Sequence, residues 1–214
     1  MRNPPLLAAV LAVALLAPGL TGAQPLPTGG PTPAVGGAPA GLGVSTPADD
    51  PAAARARVEA LLAGHHGLVP AAVLDKAAPD VAAVLRTIAA DAETFPPRRY
   101  AAFEALMRWP DAATRVLYRA ALAPDQPTGL RHRVARYHAQ AFGAAALPEL
   151  KALLADPDAD LRVTAAVALN DLKGLSPLAA AEVAAALAGA LKAEADTGVR
   201  AELGRVLAGR DALR

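Results

Sequence analysis

The chain has 214 residues, 54% of them hydrophobic and 3% aromatic, and a formal net charge of +1. The absence of cysteine excludes disulfide bonds, thiol catalysis and cysteine zinc sites, and a charge this close to zero argues against general nucleic-acid binding. Alanine and leucine dominate the composition. Because these residues lose little side-chain freedom in a helix, the chain is predicted to be all-α.

The first 23 residues have the layout of a cleavable signal peptide. Arg2 provides a positive start, an apolar run follows at 6–17, and small residues precede a predicted cleavage site after Ala23. The run is shorter than the roughly 20 residues that a membrane-spanning helix needs. We therefore expect a periplasmic or secreted protein with no stable membrane insertion after cleavage. Retention of the segment as an uncleaved anchor is the alternative.

Residues 24–48 are predicted to be a disordered linker. They carry no charge and are rich in proline and glycine, so they cannot bury enough apolar surface to offset the entropy of ordering them. The helical domain is predicted over 49–214. It opens at Asp49-Asp50-Pro51, where acids and proline suit the first turn of a helix.

Residues 51–78 are predicted to form an N-terminal helical cap, with a helix over 51–63 and a turn at 64–67. The turn contains His65 and His66, the chain's one adjacent histidine pair. No third ligand lies at metal-site spacing, so a solvated turn is favoured over a metal site.

From about residue 79 the chain repeats. Each of four predicted helices has an arginine near its start, apolar or small residues at fixed positions after it, and an acid six residues before it. The four acid–arginine pairs are Glu93 with Arg99, Asp125 with Arg131, Asp156 with Arg162, and Glu194 with Arg200. The arginines are 32, 31 and 38 residues apart. An acid in the turn suits the N-terminus of the following helix, and a guanidinium can tie that turn to a neighbour, so we expect a structural ladder of these eight residues.

Residues 147–169 are the best-defined unit, with leucines on one face of a first helix, an Asp-Pro-Asp break, and a second helix opening on Arg162. This pattern resembles the HEAT family, in particular its short, phycobilin-lyase-like variant, and the resemblance covers roughly residues 79–209. It implies an α-solenoid of about four helix pairs, with the acid and arginine in structural roles. His138 departs from the pattern, because the other units carry leucine there.

The window 95–142 holds all seven aromatic residues, eight arginines and only three acids. Aromatic residues and arginine are enriched at interface hot spots. Helical phase places Arg131, Val134, Ala135 and His138 on the packed side and His132, Arg133 and Arg136 on the outward side. His138 is expected to be a hydrogen-bonded buried imidazole. The predicted partner-binding residues are Tyr100, His132, Arg133, Arg136 and Tyr137. The alternative assigns the window to core, ladder and solvated positions.

The sequence has no glycine-rich phosphate loop, nucleophile elbow or metal-ligand helix. We therefore expect a non-catalytic protein without a cofactor. It is expected to bind a protein partner through the concave face of the solenoid, and the local positive charge favours an acidic partner. One alternative is a structural or accessory component of a cell-envelope assembly. A lyase-like enzyme subunit, which the family resemblance raises, fits an exported protein less well.

Overall fold

The computed structural model describes residues 50–64 and 68–211. Within these ranges the chain is helical and has no strand, which confirms the predicted all-α class. The expected signal peptide at 1–23, the linker at 24–48 and the histidine pair lie outside the described residues. The helices are α1 (Pro51–Gly64), α2 (Ala71–Leu74), α3 (Val81–Ala90), α4 (Pro96–Leu106), α5 (Ala112–Ala121), α6 (Thr128–Phe142), α7 (Leu147–Leu153), α8 (Ala159–Asn170), α9 (Pro177–Ala193) and α10 (Thr197–Asp211).

Side-chain caps fix several of the helix starts. Asp80, Asp111, Asp158 and Ser176 precede α3, α5, α8 and α9, and each side chain accepts a hydrogen bond from a first-turn amide. Such caps satisfy amides that have no partner inside the helix. At the end of α6 the chain turns at Gly143, whose φ of 52° favours glycine, and it continues through a 3₁₀ turn into α7.

The helices from α3 onward pack as pairs. The first helices (α3, α5, α7 and α9) lie against the second helices (α4, α6, α8 and α10) that follow them. The second helices also pack on one another in chain order, from α4 to α6, α8 and α10, while α1 packs on α3 and α4. Sequence neighbours are therefore also neighbours in space.

The buried faces of α4 and α8 are those that the repeat predicts, whereas Tyr137 in α6 and Val206 and Leu207 in α10, at equivalent positions, are only half-buried. Ala102 and Phe103 in α4, Val134 and Ala135 in α6, and Leu203 in α10 are buried or nearly so. Because alanine is small, the helix axes can approach closely, and the buried residues form one continuous core cluster. In the described part of the chain, no helix combines the length and the apolar character needed to cross a bilayer.

Candidate protein-binding surface

Ion pairs join two of the second helices, α6 and α8, to the unit that follows each of them. Arg131 in α6 reaches Asp156, which lies before α8, and the two side chains are only 5% and 6% exposed. The guanidinium binds both carboxylate oxygens, with one Nη1–Oδ1 distance of 3.3 Å. Arg162 in α8 binds Glu194 in the same forked way, at 2.7 and 2.9 Å. These hydrogen bonds lower the pKa of Glu194. For Asp156 the largest effect is burial, which raises the pKa, but the hydrogen bonds from Arg131 and the Asp158 amide and the charges of Arg131 and Arg162 together outweigh it, and the net shift is downward.

The predicted pairing within each unit is wrong. Arg162 donates to the backbone carbonyl of Asp156 at 2.9 Å, and Arg200 donates to that of Glu194 at 3.0 Å, but neither arginine binds the carboxylate six residues before it. The physical reason is that backbone carbonyl oxygens of the preceding turn accept one of the hydrogen bonds of the guanidinium. The rest of the Arg162 guanidinium then reaches the acid of the next unit. Arg131 and Arg162 therefore each place a guanidinium across the junction with the next unit.

Two of the four acids of the predicted ladder take no part in this row of ion pairs between units. Glu93 and Asp125 are exposed and form no ion pair with a described residue. Arg55 in α1 instead binds Asp91 at 2.5 Å. Arg99 donates to the Ala89 carbonyl at 2.8 Å and lies 3.4 Å from the Gln126 side chain.

A second row, which the sequence analysis missed, joins the first helices. Its pairs are Arg86 with Asp111, Arg115 and Arg119 with Glu149, and Lys151 with Glu182. The Arg86–Asp111 and Lys151–Glu182 distances are 2.8 and 2.6 Å. The two members of each pair are 25 to 34 residues apart in sequence, which is about one repeat. A basic residue one repeat before an acid is therefore the sequence signal that could have predicted these pairs.

His138 is fully buried, as its place in the repeat predicts, and the Glu149 carboxylate faces its ring. Neither ring nitrogen has a hydrogen-bond partner among the described residues, although Nε2 lies 3.4 Å from Glu149 Oε2. The ring packs against Tyr118 and Phe142, with centroids 5.9 and 5.1 Å away. Burial lowers the pKa of His138, against the opposing effect of Glu149.

Part of the aromatic cluster is core. Tyr118 and Phe103 are fully buried, and the Tyr118 hydroxyl donates to the Phe103 carbonyl at 2.6 Å. Burial also raises the pKa of Tyr118. Tyr100 and Tyr137, by contrast, are half-buried and lie at the solvent-facing side of α4 and α6. The structure thus divides the predicted aromatic window between core and surface.

Most arginines of the basic window are used within the fold. Arg98 binds Glu59, Arg99 binds Ala89 and Gln126, Arg108 binds the Val69 carbonyl, Arg115 and Arg119 bind Glu149, and Arg131 binds Asp156. Arg133 and Arg136 are exposed and form no ion pair with a described residue. Two of the eight arginines are therefore exposed without an ion pair.

A tyrosine supports one of these two arginines. The Arg133 guanidinium carbon lies 5.0 Å from the centre of the Tyr100 ring, a cation–π contact. Tyr137 lies on the same face; burial, then the Glu104 charge, raise its pKa, while Arg133 and Arg136 oppose them. The phenol is therefore neutral at physiological pH.

His132 joins two helices of this face. Its Nδ1 lies 2.7 Å from Thr164 Oγ1 in α8, and its Nε2 lies 3.9 Å from Asp158 Oδ1. The half-buried ring thus fixes α6 against α8. Beside it, a groove of about 780 Å³ runs between the two helices, and Arg136 lines it.

Comparison with protein-family models, curated proteins and solved structures found no match to this chain. No group of three or more histidine or acidic side chains in the described residues is arranged to hold a metal ion.

Proposed function

We propose that this protein is an exported, non-catalytic scaffold that binds another protein through the solvent-facing side of α4, α6 and α8, formed by Tyr100, His132, Arg133, Arg136 and Tyr137. The helix pairs are taken as units of a HEAT-like α-solenoid, in which second helices line the concave face. Two features support this arrangement: second helices that pack in chain order, and ion pairs that repeat from unit to unit.

The observation that carries the proposal is the contrast among the arginines. Six arginines of the window are bound to acids, amides or carbonyls, whereas Arg133 and Arg136 lie exposed on one helix, three residues apart. A ring contact with Tyr100 holds Arg133 in place. Exposed arginines beside tyrosines match the composition of binding hot spots and complement an acidic partner.

Export is part of the proposal and rests on the sequence of residues 1–23, which place a basic residue, an apolar run and small residues in signal-peptide order. Mass spectrometry of the protein recovered outside the cytoplasm tests it. We expect an N-terminus at Gln24, and an intact Met1 on the exported protein would contradict cleavage.

Charge reversal tests the binding face. The variant carries Arg133→Glu and Arg136→Glu, and the matched control carries Lys76→Glu and Lys192→Glu, which make the same change in net charge at two exposed lysines elsewhere. The probe is a fluorescent, glutamate-rich peptide followed by anisotropy at low and physiological salt. We expect the arginine variant to bind about tenfold more weakly, with a flatter salt dependence, because two complementary charges are lost.

Thermal unfolding provides the control for folding. Both double variants are expected to unfold at nearly the wild-type temperature, since exposed charges contribute little to stability. Equal weakening of peptide binding in the two variants, or unchanged binding in the arginine variant, would overturn the proposed face.

A further inference from the structure

The groove between α6 and α8 combines an apolar floor with a charged rim. Val163 and Val167 of α8 contribute to its floor, and Arg136 and Lys173 contribute cations. The groove's volume of about 780 Å³ lies within the range of roughly 300–1,000 Å³ common for ligand sites.

Val167 breaks the pattern of the other second helices. Five residues after the repeat arginine, the units carry Glu104, Arg136, Val167 and Arg205. Three units therefore have a charged residue at a solvent-facing position where α8 has a valine. That valine is only half-buried and lies in the groove. The α6–α8 groove therefore has an apolar side chain at a position that is charged in the other three units.

The rim has more positive than negative charge available for a ligand. Arg136 and Lys173 are exposed and form no ion pair with a described residue, and Asp171 is the acid in the lining. A ligand that carries a carboxylate beside an apolar group complements both the cations and the valines.

We propose that this groove binds an extended segment of an acidic protein partner, with an apolar side chain on Val163 and Val167 and a neighbouring carboxylate at Arg136 and Lys173. The inference rests on the proposed function and names the ligand that the same face accepts. It adds residues of α8, and Lys173 beyond it, to the binding surface.

The polar lining favours a peptide over a fatty acid. Gln140 has an amide that can both donate and accept, and the Asp171 carboxylate can accept from a backbone N–H. A peptide offers backbone groups to both, along with side chains for the floor. A fatty acid offers only its headgroup and has no backbone N–H for the Asp171 carboxylate to accept from. Binding of an acyl chain is therefore the competing outcome of the test.

A nuclear magnetic resonance titration of the isotope-labelled protein tests the assignment. The probe is a blocked hexapeptide in which leucine and glutamate alternate. Its matched forms replace all leucines with serine or all glutamates with glutamine, and decanoate represents an acyl chain. We expect the first peptide to shift the backbone amides of Gly143, Thr164 and Val167, and each matched peptide to bind at least fivefold more weakly.

Paired variants show whether the groove is the site. Val167→Glu puts a charge on the floor and should weaken peptide binding more than tenfold, whereas Val116→Glu makes the same change at an exposed valine of α5 and should have no effect. Lys173→Gln should weaken binding about two- to fivefold, the range for one exposed charge contact. Unchanged binding in Val167→Glu, or decanoate bound as tightly as the peptide, would overturn the proposal.

Arg133→Glu separates this inference from the proposed function, because Arg133 is on the face but does not line the groove. If Arg133→Glu weakens binding of the glutamate-rich probe while Val167→Glu leaves hexapeptide binding intact, the groove assignment fails and the proposed face stands. If neither variant changes binding, both fail.

Discussion

The side chain of the buried residue Arg131 connects two successive helix pairs. Its Nε donates to the Leu122 carbonyl at 3.1 Å, and its two terminal nitrogens bind Asp156 of the following unit. Removing one member of such a buried pair leaves the other charge without compensation, which costs far more than losing an exposed pair. The repeat arginines therefore act on the contact between units.

We predict that Arg131 and Asp156 are energetically coupled. In a double-mutant cycle with alanine, each single variant should lose about 3–5 kcal/mol of unfolding free energy. The double variant should lose less than the sum, by about 1–3 kcal/mol. Chemical denaturation of the four proteins measures this. A cycle on Asp156 and Arg162 is the control and should show a smaller coupling, because Arg162 binds the Asp156 backbone oxygen, which alanine retains.

His138 makes the fold sensitive to acid. It faces Glu149 of α7 and lies near Tyr118, Arg115 and Arg119 of α5. Because burial lowers the pKa of His138, the folded protein keeps the ring neutral while the unfolded chain binds a proton below about pH 6.5. The free energy of unfolding therefore falls as the pH drops through this window.

We predict that His138→Leu reduces this acid sensitivity. Leucine occupies the equivalent positions Leu106 and Leu169 in neighbouring units, so the substitution fits the repeat. Between pH 7 and pH 5 the wild type should lose more unfolding free energy than the variant, as measured by denaturant titration. The lowered pKa values of Glu149 and Asp156 cause losses only at lower pH, near and below the ordinary carboxyl range. An equal loss in the two proteins would contradict the role of His138.

At the scale of helices, one acid both starts a helix and binds the previous unit. Asp111 accepts from the Thr114 amide at 2.7 Å at the start of α5, and it also binds Arg86 of α3 at 2.8 Å. These contacts, with the capping bond first, lower the pKa of Asp111. Asp80 caps α3 through a similar bond of 2.9 Å and forms no ion pair with a described residue.

We predict that Asp111→Ala destabilises the protein more than Asp80→Ala does. Loss of a cap costs about 1 kcal/mol, and the exposed pair with Arg86 adds up to about 1 kcal/mol. In an Arg86→Ala background the two acid substitutions should become equivalent. Thermal or chemical unfolding of these variants measures the difference, and equal losses in the wild-type background would show that the Arg86 contact does not stabilise the fold.

The sequence predicted the second helices and their buried faces because helical periodicity is local. The spacing of Ala165, Ala166 and Leu169 alone defines the packed side of α8. The same pattern could not identify the partner of Arg162, because the distance from a guanidinium to Glu194 depends on how the next unit stacks. The groove was missed for the same reason, since its two walls come from successive units.

At the scale of the whole described chain, ion pairs reduce the charge that is free for binding. The basic window of the sequence carries a net charge of +5, but six of its arginines make contacts within the fold. Sequence composition could show the excess of arginine, and helical phase identified Arg133 and Arg136 as outward-facing. Only the structure shows that they remain without an ion pair while the others are bound. The proposed binding face is thus a small surface on a repetitive framework of helix pairs.

Site-specific photo-crosslinking in cells that produce the protein tests this surface most directly. A photoreactive residue replaces Gln140, exposed on α6, or Val116, exposed on α5. We expect a discrete protein adduct from position 140 that is absent from position 116 and is lost when Arg133→Glu and Arg136→Glu are added. Adducts of equal yield from both positions, or an adduct at 140 that survives the two arginine substitutions, would contradict a binding face on α4, α6 and α8.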